Sequence, residues 1–434
     1  MIYIDELKRF LKELEKESIK YCILRNFNFL LNEKKTYDGK DIDILVIEKD
    51  LKKIKKVCQK QKFKQIKICP CSNHRAYVKK IKDKREILSI HLHINGASGS
   101  KGVYYPSKII FKNIKKIKGF WIPLENDEFV LLFLQNFLVK NKSKQKYIQR
   151  LNELMKKVNL KLIKNRLNYT FEKKLSNKLI FILKTESFEK IDSMRKELIK
   201  SFSKKHFFNI TKTNICKFFW AFKRIIFEKS PLIALIGMDG SGKTTTTNNL
   251  KKELSKSLIN TKFIYTGRGR NNIIPISFFA RFIKPPKDKK FNLNQDQQEE
   301  KVNLIRTMTS FVFAIDLLLR YLFIILPARK RYNLVITDRY STDLLLMKGV
   351  PKRLKRFIYF FIPKPTKLIY LYQDIEILNK RKPEHPKQDL VRQEKLFSKI
   401  LNKKIMKTKI VKIKNINLNK TINLCLENIF NELK

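Results

Sequence analysis

Glycine is scarce in this chain, at 11 of 434 residues. That excludes collagen-like repeats and glycine-rich flexible linkers. The six cysteines show no regular spacing, which excludes a disulfide-framed scaffold. Long apolar runs are missing too. The most hydrophobic stretch, "FVFAIDLLLRYLFIILP" (311–327), is interrupted by Asp316 and Arg320. These charges stand four apart, where they can pair on one helix face, so a buried core helix is expected and no transmembrane segment. The opening "MIYIDELKRFLKELEKESIKYCIL" starts as an amphipathic helix rather than a leader. A cytoplasmic protein with reduced thiols is therefore expected.

Acidic residues are also short: 39 against 96 lysines and arginines, a formal charge of +57. Such an excess can mark a polyanion partner. Here it is mostly lysine, spread over the whole chain beside many isoleucines and asparagines, as an AT-rich codon bias produces. A solvated lysine surface is the plainer explanation, with no specific nucleic acid partner expected. At 43% hydrophobic residues the chain folds, and its length allows two domains. A polar basic zone over about 140–205 leads into the aromatic and basic "CKFFWAFKRIIF". That segment suits either a membrane surface or an interdomain helix packed on one side, and packing is expected.

Against this scarcity, Gly237, Gly240 and Gly242 crowd into "LIALIGMDGSGKTTTTNNL" (232–250). The spacing from Gly237 through Ser241 and Gly242 to Lys243 and Thr244 fits G-x-x-x-x-G-K-[ST]. A short apolar run precedes it, and Leu250, Leu254 and Leu258 follow at helical spacing. Strand, glycine loop and helix together make a phosphate cradle rather than a bare turn. Lys243 would reach the β- and γ-phosphates, and the Thr244 hydroxyl would hold Mg²⁺. Four more apolar runs follow: "KFIYT" (262–266), "NLVIT" (333–337), "KLIYLY" (367–372) and "KIVKIK" (409–414). Alternating with helices, they predict an α/β domain with a parallel sheet. Asp338 ends the third of these five strands beside the loop, where a carboxylate holds Mg²⁺, and Arg339 suits phosphate oxygens.

Residues 231–434 resemble the thymidylate kinase family of P-loop nucleoside monophosphate kinases. The resemblance rests on "GMDGSGKTT", "FVFAID…PARKRYNLVITDRYSTD" and "PKPTKLIYLYQDIEILNKRK". It implies a P-loop NTPase fold, ATP and Mg²⁺ as cofactors, and a nucleotide plus a small-molecule acceptor as ligands. It implies that Asp239 faces the acceptor's sugar while Asp338 and Arg339 serve metal and phosphate. Arg381 would open a lid, "RKPEHPKQDLVRQEKLF", with Lys382 and Arg392 at the transferring group. Thr245 follows the motif as a further nucleotide contact. Three positions depart from the family pattern. Ile236 replaces an acidic residue, Leu317 an acceptor-binding arginine, and "YTGRGRNN" an R-E-P-G turn, with Arg268 and Arg270 as substitutes. These departures leave ATP binding intact and the acceptor open. The nearest resemblance is to fused thymidylate-kinase-like domains of surface-polysaccharide gene clusters, which brings in a sugar-type acceptor.

In "ILRNFNFLLNEKKTYDGKDIDILVIEKD", Asp41 and Asp43 share one face of a strand, with Ile42, Ile44 and Val46 on the other. Two such carboxylates can bind a divalent metal. The segment resembles the nucleotidyltransferase superfamily, which implies a smaller α+β domain. "ILRNFNFL" stands where its glycine loop belongs and His91, in "ILSIHLHI", where its third aspartate belongs, so a degenerate site is expected. If "HRAYVKK" and "ILSIHLHI" pair as a hairpin, His91 and His93 share a face near His74, Cys69 and Cys71, and zinc is conceivable.

The expected organisation is a nucleotidyltransferase-like domain (1–170), a helical connector (171–230) and a kinase-like domain (231–434). The expected activity is ATP- and Mg²⁺-dependent phosphoryl transfer to a nucleoside monophosphate or related acceptor. The rival is a nucleotide-binding regulatory module with little turnover. A homodimer is left open.

Overall fold

The computed structural model describes residues 2–31, 41–69, 71, 73–185, 188–267, 272–274, 304–347, 349–383, 387–401 and 408–433. It divides into two compact units, one mainly of residues 1–223 and the other mainly of 224–434.

The first unit is α+β. Its strands are β1 (Cys22–Ile23), β2 (Ile42–Val46), β3 (Lys64–Ile66), β4 (His74–Lys80) and β5 (Ile87–Ile94), in the order β1-β2-β5-β4-β3. β2 and β5 are parallel and the other pairs antiparallel. Period-two alternation sends Ile42, Ile44 and Val46 into one core with Leu7, Phe10 and Leu14 of the N-terminal helix Ile2–Lys16. Leu45 points the opposite way, into a second core. That second core corrects the expected connector. Leu179 and Ile182 of helix Lys173–Thr185, with Leu198 and Phe202 of helix Arg195–Lys205, pack into it instead of forming a separate segment. A buried ion pair anchors it. Arg166 holds Asp127 with two parallel hydrogen bonds of 2.7 and 2.9 Å, and the Tyr105 hydroxyl donates to the same carboxylate.

Two expectations fail in residues 69–227. Cys71 and Cys216 are joined in a disulfide, their Cα atoms 6.0 Å apart, so not all thiols are reduced. Denatured protein is therefore expected to alkylate four cysteines before reduction (Cys22, Cys58, Cys69 and Cys425) and all six after it. Six alkylated without reductant, read by mass spectrometry, would contradict the bridge. The aromatic helix Phe207–Phe227 packs only in part: none of its residues is fully buried, though Ile210 lies against the second core and Cys216 carries the bridge. Phe208, Phe218, Phe219 and Phe222 are all exposed.

The first unit also holds two short hairpins, β6 (Gly96–Gly99) with β7 (Gly102–Pro106) and β8 (Ile114–Ile117) with β9 (Phe120–Pro123). The second unit is α/β. Its strands are β10 (Leu232–Gly237), β11 (Thr261–Tyr265), β12 (Leu334–Asp338), β13 (Lys367–Tyr372) and β14 (Lys409–Lys414). All pairs are parallel, in the order β11-β12-β10-β13-β14. The five strands fall within a residue of the five apolar runs; the inner strands β10, β12 and β13 are covered on both faces, whereas the edge strands β11 and β14 are only partly covered. Leu232, Ala234 and Ile236 face one core with Phe313, Leu317 and Leu390, while Ile233 and Leu235 are buried on the other face. β10 sends its connection towards β11 at one edge, and its neighbour β13 sends its own towards β14 at the other. The C-terminal ends of β10 and β13 are thus a topological switch point, where open α/β sheets bind ligands.

The helix predicted over 311–327 is one-sided rather than fully buried. Phe313, Leu317 and Tyr321 face the core, whereas Phe311, Ile315, Leu322 and Phe323 are exposed. Segment Thr307–Arg331 is long and apolar enough to cross a membrane by length and composition. Asp316 and Arg320 do pair, fully buried, and they also tie down the chain after β11. Arg320 Nη1 donates to the Gly267 carbonyl at 3.2 Å, and Asp316 accepts from the amides of Ile273 and Ile274.

Candidate functional site

The glycine loop leaves β10 at the switch point, and helix Lys243–Ser255 begins where the loop ends. Gly242 has φ +87°, and a Cβ there would strike the Asn415 side chain; a Cβ on Gly237 would strike the Leu371 carbonyl. Only glycine lets the loop run this close to its neighbours. Asn415, just past β14, latches the loop from outside. Its Nδ2 donates to the Ser241 carbonyl at 2.8 Å, and its Oδ1 accepts from Thr421.

Lys243 is buried and lies along the loop, its Nζ donating to the carbonyls of Gly237 (2.9 Å) and Met238 (2.7 Å). Burial lowers its pKa to about 8, so its charge is held at a desolvation cost that a nearby anion would offset. Thr244 Oγ1 donates to Asp338 Oδ2 at 3.2 Å. The two oxygens expected to share Mg²⁺ are thus already together. Burial raises the Asp338 carboxyl above its usual range, and its Oδ1 has no hydrogen-bond partner among the described residues. The Ser241 hydroxyl is buried in the same condition. Unmatched acceptors and a desolvated cation beside an open loop fit a bound Mg²⁺–triphosphate, which would supply the missing partners.

Arg339 follows β12 at φ +69°, which turns its side chain back over the site. It bridges Asp239 (Nη2–Oδ1, 2.6 Å) and Asp343 (Nη1–Oδ2, 3.2 Å). Against burial, these two carboxylates raise its pKa, so it stays charged. Asp239 also lies 3.8 Å from Lys243 Nζ. The structure thus brings Gly237, Asp239, Gly240, Ser241, Gly242, Lys243, Thr244, Asp338 and Arg339 to one place. Thr245 is exposed at the helix start. Arg381, ending helix Ile375–Arg381, reaches the loop through a 3.4 Å hydrogen bond to the Gly240 carbonyl. Arg392, in helix Lys387–Ile400, donates to Asp389 at 3.0 Å. Lys382 caps the preceding helix through its backbone N–H. Arg268 and Arg270 lie outside the described residues, as does part of the expected lid. Leu317 is a core residue and offers no charge to an acceptor. Sequence reasoning missed Asn415 and Asp343. Asp343 could have been found, since it stands four residues after Arg339 on a turn of helix.

In the first unit, Asp43 pairs in register with His91 on β5, where a third carboxylate was looked for. Asp43 is enclosed by cations and imidazoles: Arg25 Nε at 2.8 Å, His93 Nε2 at 2.9 Å and His91 Nδ1 at 3.3 Å. Asp41 also meets His91 Nδ1 at 3.3 Å. Against burial, Arg25 and the two histidines hold the Asp43 carboxyl well below its usual range. An all-oxygen Mg²⁺ shell on Asp41 and Asp43 is therefore not what this unit presents. Arg25, in the stretch where a glycine loop was sought, had been passed over.

No protein-family model and no curated protein matches this sequence. Among solved structures, thymidylate kinase from Candida albicans aligns at 20% identity and a TM-score of 0.34, covering 47% of this chain and 92% of that one. Thymidylate kinase from Ehrlichia chaffeensis aligns at 17% identity and a TM-score of 0.32, covering 46% and 98%. Similarity this distant carries no argument about activity. The geometry has to carry it.

Proposed function

We propose that the second unit is an ATP- and Mg²⁺-dependent phosphotransferase, passing the γ-phosphate to a nucleoside monophosphate or a related small acceptor. The observation that carries this reading is the Thr244–Asp338 contact at the foot of the loop, beside a buried Lys243. Thr244 and Asp338 would hold Mg²⁺, which neutralises charge on the β- and γ-phosphates when bound. Lys243 would leave the Gly237 and Met238 carbonyls for phosphate oxygens. Arg339 would stabilise the negative charge that spreads over the transferring group, and Asp239 would orient both Arg339 and the acceptor. Arg381, already on the loop, would exclude water as its helix and the following segment close.

A sugar-type acceptor is the second reading, favoured by Leu317. With an apolar residue in the core where an acceptor-binding arginine was looked for, a less charged acceptor is accommodated.

The test is incubation with Mg-ATP and a panel of dTMP, other nucleoside monophosphates, nucleosides and sugars, with product read by mass spectrometry. One phosphorylated acceptor is expected. Bound ATP with no product from any acceptor would favour a nucleotide-binding regulatory module instead.

A further inference from the structure

The first unit gathers three of the chain's five histidines at one point. The antiparallel register of β4 and β5 sets His74 opposite His93 and Ala76 opposite His91. The parallel register of β2 and β5 sets Asp43 opposite His91. Alternation along each strand therefore turns Asp41, Asp43, His74, His91 and His93 to one side of the sheet. The three imidazole centroids lie 4.4, 4.7 and 4.9 Å apart. One ring nitrogen from each lies within 4.8 Å of the others, and a second such group joins Asp41, Asp43 and His91.

We propose that His74, His91 and His93, with the Asp43 carboxylate, form a binding site for a divalent transition-metal ion of the zinc class. Three imidazoles and one carboxylate suit Zn²⁺ or Co²⁺ and make a poor site for Mg²⁺, which takes oxygen ligands. Ser98 supplies the outer support. Its backbone N–H donates to His93 Nδ1 at 3.2 Å, and its hydroxyl lies 3.3 Å from that nitrogen and 3.4 Å from His74 Nδ1. One residue thus contacts two rings, and its hydroxyl is the oxygen able to accept from the outer N–H of a metal-bound ring. Because His93 Nδ1 accepts, its Nε2 carries the proton that faces Asp43 Oδ1. A metal taken by that nitrogen requires the other tautomer: the Nε2 proton leaves and one is taken up at Nδ1, which then donates to the Ser98 hydroxyl 3.3 Å away, so the ring stays neutral while Nε2 and the carboxylate both serve as ligands. Arg25, on the other carboxylate oxygen at 2.8 Å, holds Asp43 in place. The cysteines once considered with these histidines are not part of the set, because Cys71 is bonded to Cys216 and Cys69 is not in either group. The metal would tie β2, β4 and β5 together.

The experiment uses the full chain, prepared without a metal-affinity tag, stripped with chelator and titrated with Co²⁺ and then Zn²⁺. The expected result is one Co²⁺ per chain with the visible absorption of a four-coordinate nitrogen–oxygen site, displaced by one Zn²⁺. Mg²⁺ in excess displaces neither. His91→Gln, at a partly exposed position, is expected to weaken Co²⁺ binding at least 100-fold while the circular dichroism spectrum is unchanged. His206→Gln, outside the cluster, is expected to leave binding intact. Absence of a stoichiometric Co²⁺ band, or unchanged binding in folded His91→Gln and His93→Gln proteins, would overturn the proposal.

Discussion

Lys243→Ala is expected to lower phosphoryl transfer about 100- to 1,000-fold, the usual cost of removing one preorganised donor from a charge-developing site. The loss should fall mainly on kcat, because the ammonium has most to gain when charge spreads over the transferring group. The fold should survive. Lys243 donates to two carbonyls of its own loop and makes only a long 3.8 Å ion pair with Asp239, and burial already disfavours its charge. Single-turnover rates and a circular dichroism melt on the same preparation check both halves. A variant within threefold of the parent rate would remove Lys243 from the mechanism.

The largest stability effect is expected in the other unit. Asp127 is fully buried and accepts two parallel bonds from Arg166 and one from Tyr105. Asp127→Ala leaves Arg166, a residue only 9% exposed, without its counter-charge. The expected cost is about 3–5 kcal/mol, the usual consequence of breaking a buried pair from one side. Asp127→Leu combined with Arg166→Met should recover much of it, since well-packed apolar replacements of buried pairs are often neutral. Urea unfolding followed by the fluorescence of Trp121 and Trp220, both in the same unit, reads the midpoint. A loss below about 1 kcal/mol for the single change would mean that Arg166 finds another partner or reaches water.

Some of this could be read from the sequence and some could not, for physical reasons. The inner strands β10, β12 and β13 were legible because a strand covered on both faces must be apolar throughout, and the edge strands β11 and β14, only partly covered, were legible from their β-branched and aromatic residues. The glycine loop between β10 and its helix was legible because its pattern is local: glycines, lysine and threonine lie within eight consecutive residues. The histidine cluster was half legible. Alternation put His91 and His93 on one face, but only the β4–β5 register brings His74 opposite His93.

What escaped acts over distance in the chain. Asn415 holds the Ser241 carbonyl from 174 residues away, and nothing in "KIKNIN" announces it. Arg25 neutralises Asp43 from a stretch scanned for missing glycines rather than for a cation. The Cys71–Cys216 bridge spans 145 residues, and unpatterned cysteines give no hint of pairing. For helix Phe207–Phe227, aromatic residues at helical spacing suggested a packed stripe, and the structure exposes them instead.

The central claim is that the loop at β10 holds a nucleoside triphosphate with Mg²⁺, and titration calorimetry of the whole chain with ATP tests it most directly. One ATP per chain is expected, bound more tightly with Mg²⁺ than without it. The proton balance gives a second readout. At pH 9 the free Lys243, with a pKa of about 8, is mostly neutral, and the triphosphate favours its charged form. Binding should therefore take up protons at pH 9 and far fewer at pH 7, shown by heats that vary with the buffer's ionisation enthalpy, and Lys243→Ala should abolish the difference. No binding, or binding indifferent to both Mg²⁺ and Lys243, would contradict the account.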